Sequence, residues 1–408
     1  MNTPSKTRPP ASNLLEESLR WFGPSDPVPL THIRQAGATA VFSSLHAIPY
    51  GDPWPRHAIR QHREMIESYG LRWSVVESLP VHEDIKTGTG DLKTLFEHYR
   101  TSLTHLAAEG ITTIIYNFMP VLDWVRTDMT HLMPDGSLGL LYDPVKFAAF
   151  EIHALQRHGA ADDFTADQVA AAGEWWDSLD EPAKERFIQD IIDVFPGCKL
   201  GLGLDDIRSM LARYTGVDRD ALTSNLARFL EAVTPTADAL GIRLAIHPDD
   251  PPFPVLGLPR IVSTAADLDR ILSLVDSPAN GICFCSGSLG ARRDNDLAEI
   301  ARRFAGRIHA VHLRSTRLED SGVFYEADHL DGDADMPALL SILLAEQDRR
   351  RSERRADWKL PLRPDHGHTM MHDLDSYQPL TPGYSIIGRM RGLAELRGVM
   401  HGLRYGNG

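Results

Sequence analysis

Short runs of β-branched or aromatic residues alternate along the chain with longer segments of helical periodicity. The runs are residues 19–22, 39–45, 71–78, 111–118, 242–247, 281–285, 308–313 and 360–364. Strands that alternate with helices are typical of βα units and a parallel sheet. The pattern therefore predicts an α/β fold, a (β/α)8 TIM barrel, although the strand count alone leaves an open doubly wound sheet as an alternative.

One interval between predicted strands is much longer than the others. Residues 219–240 suffice for the crossover helix before the fifth strand, so about 119–218 are predicted to form an insertion after strand four. Helical patterns at 181–194 and 204–214 indicate that this insertion is a small helical cap. Residues 1–18 are rich in Pro, Ser and Asn and lack periodicity, which predicts a loosely ordered lead-in. Residues 19–408 are then expected to form a single barrel domain.

The composition favours a cytoplasmic protein. No stretch approaches the ~18 apolar residues that span a bilayer, and the first residues contain no apolar signal core. The three cysteines, Cys198, Cys283 and Cys285, form an odd and sparse set that is unlike a secreted disulfide framework. Neither a membrane partner nor secretion is expected.

The charge balance argues against nucleic acid as a partner. The formal net charge is −14 and the sequence pI is near 5.7, so the chain as a whole would repel a phosphate backbone. A small molecule is the expected ligand, and we expect the chain to form a homo-oligomer, a dimer.

Polar side chains follow apolar ones at the ends of most predicted strands. Side chains alternate between the two faces of a strand, so the inward series of strands three to seven end in Glu77, Asn117, His247, Cys285 and His312. The same alternation on strand eight gives Arg363 and then Asp365. Because catalytic groups in such barrels project from the C-terminal ends of the strands, these residues are candidates for an active site.

Four of these candidates form a chemically coherent set, His247, Cys285, His312 and Asp365. Taken singly, a buried cysteine is more often inert and a strand-end histidine is more often only hydrogen-bonded. Together, two imidazoles, a thiolate and a carboxylate suit a borderline divalent cation such as Fe(II), Mn(II), Zn(II) or Co(II). The set therefore predicts a metal centre, with Cys283 and Cys198 as structural residues.

Long segments around these strand ends resemble the mannonate dehydratase family, in order and from about residue 20 to about residue 400. They are WFGPSDPV (21–28), QAGAT (35–39), WSVVESLPVHEDIKTGTG (73–90), YNFMPVLDWVRTD (116–128), HPDDPPFPVLGLPRIVST (247–264), CSGSLGARRDND (285–296), HLRST (312–316), RPDHGH (363–368) and PGYSIIGR (382–389). Matches of this length are far more specific than a short motif.

The resemblance implies a function and a set of roles. Members of the family dehydrate D-mannonate to 2-keto-3-deoxy-D-gluconate in hexuronate (glucuronate) catabolism, on a barrel similar to that of xylose isomerase. The implied cofactor is Mn²⁺ or Fe²⁺, with His247, Cys285, His312 and Asp365 as ligands. The implied acid and base groups are His366 and Tyr384.

Further polar residues near the strand ends are candidates for substrate binding. They are Glu77, His82, Asn117, Arg126, Arg292, Arg314 and Arg363. A guanidinium would match the substrate carboxylate, but each arginine could equally fix a loop through an ion pair.

His366 directly follows Asp365, and adjacent residues of an ideal strand point to opposite faces. We expect the strand to end at Pro364 and Gly367 to turn the chain, so that both side chains reach the barrel mouth. A structural role for His366 remains the alternative.

Two other classes of function remain open on the sequence. A metal-dependent sugar isomerase or epimerase on the same barrel would also stabilise an enediolate without expelling water, and product analysis would separate the two. A sugar- or metal-binding module without catalysis would bind but show no turnover.

Overall fold

A computed structural model describes residues 13–193, 202–376 and 381–405. Eight parallel strands close into a barrel in the order β1-β12-β9-β8-β7-β4-β3-β2. They are β1 (Glu16–Arg20), β2 (Ala40–Ser43), β3 (Arg72–Glu77), β4 (Thr113–Tyr116), β7 (Arg243–Ile246), β8 (Asn280–Cys285), β9 (Ile308–His312) and β12 (Pro361–Arg363). The TIM barrel is confirmed, and the open sheet is excluded because β1 pairs with both β2 and β12.

Each predicted strand overlaps one barrel strand, and the largest displacement is at the first. Strand β1 begins at Glu16 and ends at Arg20, whereas the sequence indicated residues 19–22. Residues 16–18, assigned to a loosely ordered lead-in, therefore belong to the barrel, and Leu14 and Leu15 are already buried. The prediction was wrong there because the charged pair Glu16 and Glu17 masks the strand pattern. Residues 1–12 lie outside the described part of the chain.

The barrel interior contains one tight layer of small and apolar side chains. Its members are Phe42, Val75, Ile115, Ala245, Cys283 and Ala310. On five of these six strands, the residue two positions further along is a polar candidate named above, and two neighbouring pairs of floor residues are in register, Ile115 with Ala245 and Cys283 with Ala310. The apolar layer thus forms the floor beneath a polar mouth.

Helices surround the barrel and also fill the loops above it. They are α1 (Leu30–Gln35), α2 (Arg56–Ser68), α3 (Glu83–Thr87), α4 (Leu92–Ala108), α5 (Pro144–Ala149), α6 (Ala166–Asp177), α7 (Glu181–Ile192), α8 (Leu204–Ala212), α9 (Arg219–Ala239), α10 (Ala265–Leu274), α11 (Ser286–Leu289), α12 (Leu297–Phe304), α13 (Met336–Ser352), α14 (His372–Ser376) and α15 (Ile386–Tyr405). A π-helical turn at Phe150–Ala154 and short 3₁₀ turns at Ala160–Asp163 and Ala305–Arg307 complete the helical elements. None of the helices within the described ranges is long and apolar enough to cross a membrane.

The segment between β4 and α9 contains strands as well as helices. Strands β5 (Asp128–Leu132) and β6 (Leu138–Tyr142) form a hairpin that the sequence did not predict. A second hairpin, β10 (Ser315–Leu318) and β11 (Phe324–Ala327), follows β9. The two join into an antiparallel sheet in the order β10-β11-β6-β5, so the insertion is connected by backbone hydrogen bonds to the loop after the seventh barrel strand.

Candidate active site

The C-terminal ends of β8, β9 and β12 place three candidate side chains side by side. Cys285 is in register with His312, and His312 is in register with Arg363. Residues in register on parallel strands point to the same side of the sheet, and Cys283 and Ala310 below them point into the barrel. Cys285, His312 and Arg363 therefore face the barrel mouth.

The four predicted metal ligands come together at this mouth. Nε2 of His247 lies 3.2 Å from Nδ1 of His312, and Sγ of Cys285 lies 3.6 Å from Oδ2 of Asp365. One ligand atom from each of Cys285, His312 and Asp365 lies within 4.8 Å of the others. The side chains of these three are almost completely buried, while His247 is half-buried. The arrangement can hold a metal ion.

A second set of possible ligands consists of His247, Cys283 and His312, with the same spacing limit of 4.8 Å. Cys283 belongs to the apolar floor, where it packs with Val75 and Ala310 among others, one layer below the polar mouth. Cys285 in contrast accepts a hydrogen bond from Ser288 Oγ at 3.2 Å and lies beside a carboxylate. We therefore favour the set that contains Cys285. Cys198 lies outside the described residues.

The turn that brings both Asp365 and His366 to the mouth occurs at Asp365 itself. Its φ of 67° is in the left-handed region, which Asp tolerates better than most residues. The expectation that Gly367 makes this turn is wrong. A Cβ at Gly367 would lie 2.4 Å from Arg389 N and from Gly388 C, so this glycine is needed for close packing against α15.

Two arginines hold the carboxylate of Asp365. Arg363 Nη1 donates to Oδ1 at 2.5 Å, and Arg314 Nε donates to Oδ2 at 2.7 Å. Burial alone would raise the pKa of Asp365, but Arg363, His366 and Arg314 hold it well below its usual range. The carboxylate is ionised and held in one orientation, as a metal ligand must be.

His366 lies against a carboxylate that the sequence analysis missed. Its Nδ1 is 2.8 Å from each oxygen of Glu326, and its ring lies 4.9 Å from the ring of Tyr384. Burial would raise the pKa of Glu326, but Arg314, His366 and Arg126 lower it to about 2. An ionised Glu326 accepts a hydrogen bond from Nδ1–H of His366, which leaves Nε2 of His366 for proton transfer.

Tyr384 completes this side of the mouth. Burial raises the pKa of its phenol to about 12, even though Arg363 opposes the shift. Arg363 Nη1 donates to the phenol oxygen at 3.4 Å, and the ring packs edge-on against Phe22 at 4.9 Å. The phenol is therefore neutral at neutral pH and has a proton to donate.

Glu77 lies behind His312, one of the predicted metal ligands. Its Oε1 accepts from Arg363 Nη2 at 2.6 Å, and its Oε2 lies 3.5 Å from His312 Nε2. Neither Oε2 nor Nε2 has a hydrogen-bond partner of good geometry among the described residues. Burial would raise the pKa of Glu77, but Arg363 and His312 hold it well below its usual range. A hydrogen bond donated by Nε2–H of His312 to Glu77 would leave the lone pair on Nδ1 of His312.

The remaining substrate-binding candidates divide into two groups. Arg126 and Arg314 are buried and both bind Asp250 and Glu326, so they belong to the ion-pair network of the mouth. Asn117 hydrogen-bonds the side chain of Asp123, a carboxyl whose pKa burial raises.

The other two candidates have contacts elsewhere. Arg292 forms an ion pair with the exposed Asp294 and donates to the carbonyl oxygen of Pro252. His82 caps helix α3 by accepting from Asp84 N. Substrate binding by Arg292 and His82 stays a prediction. Their contacts in the structure do not support it.

The chain matches a known family over almost its whole length. A family model described as D-mannonate dehydratase (UxuA) matches residues 15–407. Among curated proteins, the mannonate dehydratase of Chromohalobacter salexigens is 50% identical over 386 residues, which cover 94% of this chain and 98% of that protein. The mannonate dehydratase of a Marinomonas species is 47% identical over 391 residues, which cover 96% and 99%.

A solved structure has the same overall architecture. The crystal structure of mannonate dehydratase from Streptococcus suis serotype 2 superposes with a TM-score of 0.73 at 31% sequence identity, covering 97% of this chain and 95% of that one. The similarity therefore includes the insertion as well as the barrel.

Proposed function

The chain belongs to the mannonate dehydratase family of hydro-lyases, and we propose that it eliminates water from D-mannonate at a divalent metal ion held by His247, Cys285, His312 and Asp365. The product would be 2-keto-3-deoxy-D-gluconate. The observation that carries this proposal is the convergence of two imidazoles, a thiol and an ionised carboxylate at the mouth of the barrel.

The donor atoms fit a metal ion. Two nitrogens 3.2 Å apart are spaced as neighbouring ligands of one ion would be, with metal–nitrogen bonds of about 2.1 Å. Nδ1 of His247 donates to the carbonyl oxygen of Pro248 at 2.7 Å, so its Nε2 carries the lone pair. Such an outer hydrogen bond is the usual way in which proteins orient a ligating histidine.

Mn²⁺ or Fe²⁺ suits this donor set best. Thiolate and imidazole favour borderline ions over Mg²⁺. Zn²⁺ with four protein ligands tends towards a closed tetrahedral site, whereas Mn²⁺ and Fe²⁺ accept additional oxygens from a substrate.

Dehydration needs a base for the proton on C2, beside the carboxylate, and an acid for the hydroxyl that leaves C3. A bound divalent cation would supply stabilisation for the negative charge that develops on C2 and on the carboxylate oxygens as the C2 proton is removed. The C2–H electron pair would form the C2–C3 double bond as the C3–O bond breaks. The leaving hydroxyl would take up a proton and depart as water, and the enol product would tautomerise to the 2-keto acid.

We assign the two proton transfers to His366 and Tyr384. His366 is oriented by Glu326 and can hold a proton on Nε2 or release it. Tyr384 is a neutral phenol 4.9 Å from the imidazole, ring to ring, and can act as a donor. General acid and base catalysis of this kind typically contributes on the order of 100-fold to 10,000-fold in rate.

The mouth also contains groups that would position the sugar chain. Asn117 directly follows β4 and hydrogen-bonds Asp123 in the loop beyond it, and this amide and carboxyl can bind hydroxyl groups. Three arginines of the mouth are held in ion pairs with buried carboxylates. Arg126 and Arg314 pair with Asp250 and Glu326, Arg314 also pairs with Asp365, and Arg363 pairs with Glu77 and Asp365. We infer that these ion pairs mainly orient Asp365, the proposed metal ligand, and Glu326, which orients His366.

We further propose that the enzyme acts in hexuronate catabolism in the cytoplasm, as a homo-oligomer, a dimer. The free thiols Cys283 and Cys285 favour a reducing compartment, because oxidation of Cys285 would remove a metal ligand.

Incubation of the metal-reconstituted protein with D-mannonate tests the central proposal. We expect a 2-keto-3-deoxy acid, detected by a chemical assay for that group and by mass spectrometry as loss of one water. Absence of this product with Mn²⁺, Fe²⁺, Co²⁺ and Zn²⁺ would overturn the proposal. Formation of an isomer of unchanged mass would identify an isomerase or epimerase instead.

A further inference from the structure

Arg20, at the end of β1, is a buried cation at the barrel mouth that the reaction proposed above does not use. It is in register with Phe42, a member of the apolar floor, so its side chain points into the barrel. Its side chain is 6% exposed. Its charge acts on Glu77, Tyr384 and Arg363, which places it in the same electrostatic environment as the proposed centre.

The guanidinium of Arg20 is held but not neutralised. Nη2 donates to Nε2 of His46 at 3.2 Å, and Cζ stacks 4.7 Å from the centre of the Phe22 ring. Nη1 is buried and has no hydrogen-bond partner among the described residues. The stacking on Phe22 fixes the plane of the guanidinium. The hydrogen bond to His46 involves only Nη2, so the side of the guanidinium that carries Nη1 can still donate to a ligand.

Other arginines at the mouth, unlike Arg20, are neutralised by ion pairs. Arg126, Arg314 and Arg363 each form at least two ion pairs with buried carboxylates. Burial would lower the pKa of Arg314 and Arg363, but their carboxylate partners raise it. Burial lowers the pKa of Arg20 and its surroundings do not reverse the shift. Within the described residues, no ion pair compensates Arg20.

An uncompensated buried charge destabilises a fold. At a substrate-binding mouth, a bound ligand can supply the missing negative charge. The ligand must be an anion that can meet a planar guanidinium edge, which is the geometry of a carboxylate. We propose that Arg20 is the residue that binds the carboxylate of the sugar acid. This inference rests on the proposed dehydration, because it takes the sugar acid as the substrate.

Two ligands that differ only in charge test the proposal directly. Binding of D-mannonate and of its uncharged amide, D-mannonamide, would be measured by calorimetry on metal-loaded protein with and without Arg20→Gln. All proteins used for binding also carry Tyr384→Phe, so that D-mannonate is not converted during the titration. We expect Arg20→Gln to weaken D-mannonate binding on the order of 10-fold to 100-fold, the range of a charge-assisted hydrogen bond. Binding of the amide should change little, and Arg20→Lys should recover part of the affinity because it restores the charge.

A matched variant controls for the loss of one positive charge. Arg293 is exposed and pairs with Asp320 at the surface, so Arg293→Gln should bind both ligands like the wild type. Equal weakening of mannonate and mannonamide by Arg20→Gln would show a structural role, and unchanged mannonate binding would show that Arg20 is not the anchor; either result overturns the inference. Turnover of D-mannonate by the wild type is recorded in parallel, because a wild type that binds but does not convert it would refute the proposed dehydration alone.

Discussion

Both carboxylate oxygens of Glu326 lie 2.8 Å from Nδ1 of His366. Glu326 also accepts from Arg314 Nη1 at 2.8 Å and from Arg126 Nη2 at 3.1 Å. The carboxylate therefore orients the imidazole and at the same time connects it to the arginines that hold Asp365. This pair connects His366, the proposed proton-transfer group, to Asp365, the proposed metal ligand next to it in the chain.

Glu326→Gln should lower kcat on the order of 100-fold while the protein keeps its metal, because the amide can no longer fix His366 as a charged acceptor does. Steady-state kinetics with D-mannonate and elemental analysis of the same preparation check this. Glu319→Gln, an exposed change on the same hairpin, serves as control. Wild-type turnover by Glu326→Gln would contradict the assigned role of the pair.

His366→Asn and Tyr384→Phe should each lower kcat by about 100-fold to 10,000-fold while KM moves far less, since each removes a proton-transfer group and leaves the metal ligands in place. His247→Asn should behave differently and lose metal first. Metal analysis separates the two outcomes. If His366→Asn lacked metal and regained activity at high Mn²⁺, His366 would be a ligand.

Cys285→Ser should weaken metal affinity at least about 100-fold, because even groups outside the ligand set are typically worth about 10-fold to 100-fold. Cys283→Ser should retain its metal, since that thiol belongs to the apolar floor. Elemental analysis after dialysis compares the two variants. Similar metal loss in both would favour the alternative set of His247, Cys283 and His312.

Chelation should abolish activity, and Mn²⁺ or Fe²⁺ should restore it to a much greater extent than Mg²⁺. The reason is the preference of thiolate and imidazole for borderline ions. Activity measured under anaerobic conditions after addition of each ion decides this. Equal rescue by Mg²⁺ would be incompatible with Cys285 as a ligand.

The acid stability of the fold should depend on Glu326. Its pKa is about 2 in the folded protein and about 4.5 in an unfolded chain, so its ionised form stabilises the fold above pH 4.5. That contribution is lost as the pH falls from 4.5 to 2. Denaturant unfolding over this range should show a smaller loss of stability for Glu326→Gln than for the wild type or Glu319→Gln. The same dependence of the unfolding free energy on pH in all three proteins would contradict the lowered pKa of Glu326.

The sequence was most informative where the barrel is regular. Parallel strands end at a common edge, so alternation along β7, β8 and β9 was sufficient to select His247, Cys285 and His312 together. The same reasoning required only that each strand be placed to within a residue or two. The buried residues Ala245, Cys283 and Ala310, two positions earlier on the three strands, mark the face that points into the barrel.

The residues that sequence reasoning missed depend on contacts between distant segments. Glu326 lies on a short antiparallel strand whose four residues carry little periodicity, and its relation to His366 arises only when β11 pairs with β6. Arg20 was missed because the first strand was placed three residues too late, which put the strand end beyond it. The turn at Asp365 could not be read from residue type, since positive φ is uncommon for any side chain but glycine.

The antiparallel sheet over the mouth makes the insertion after β4 and the loop after β9 a single structural unit. Phe324 stacks on Tyr142 across that sheet, with ring centres 5.2 Å apart, while Glu326 on the same strand reaches His366. Excising the insertion to obtain a minimal barrel would therefore unpair β11 and release the carboxylate that orients the imidazole. An engineered barrel that is to contain an imidazole oriented in this way would therefore need both the insertion after β4 and the loop after β9.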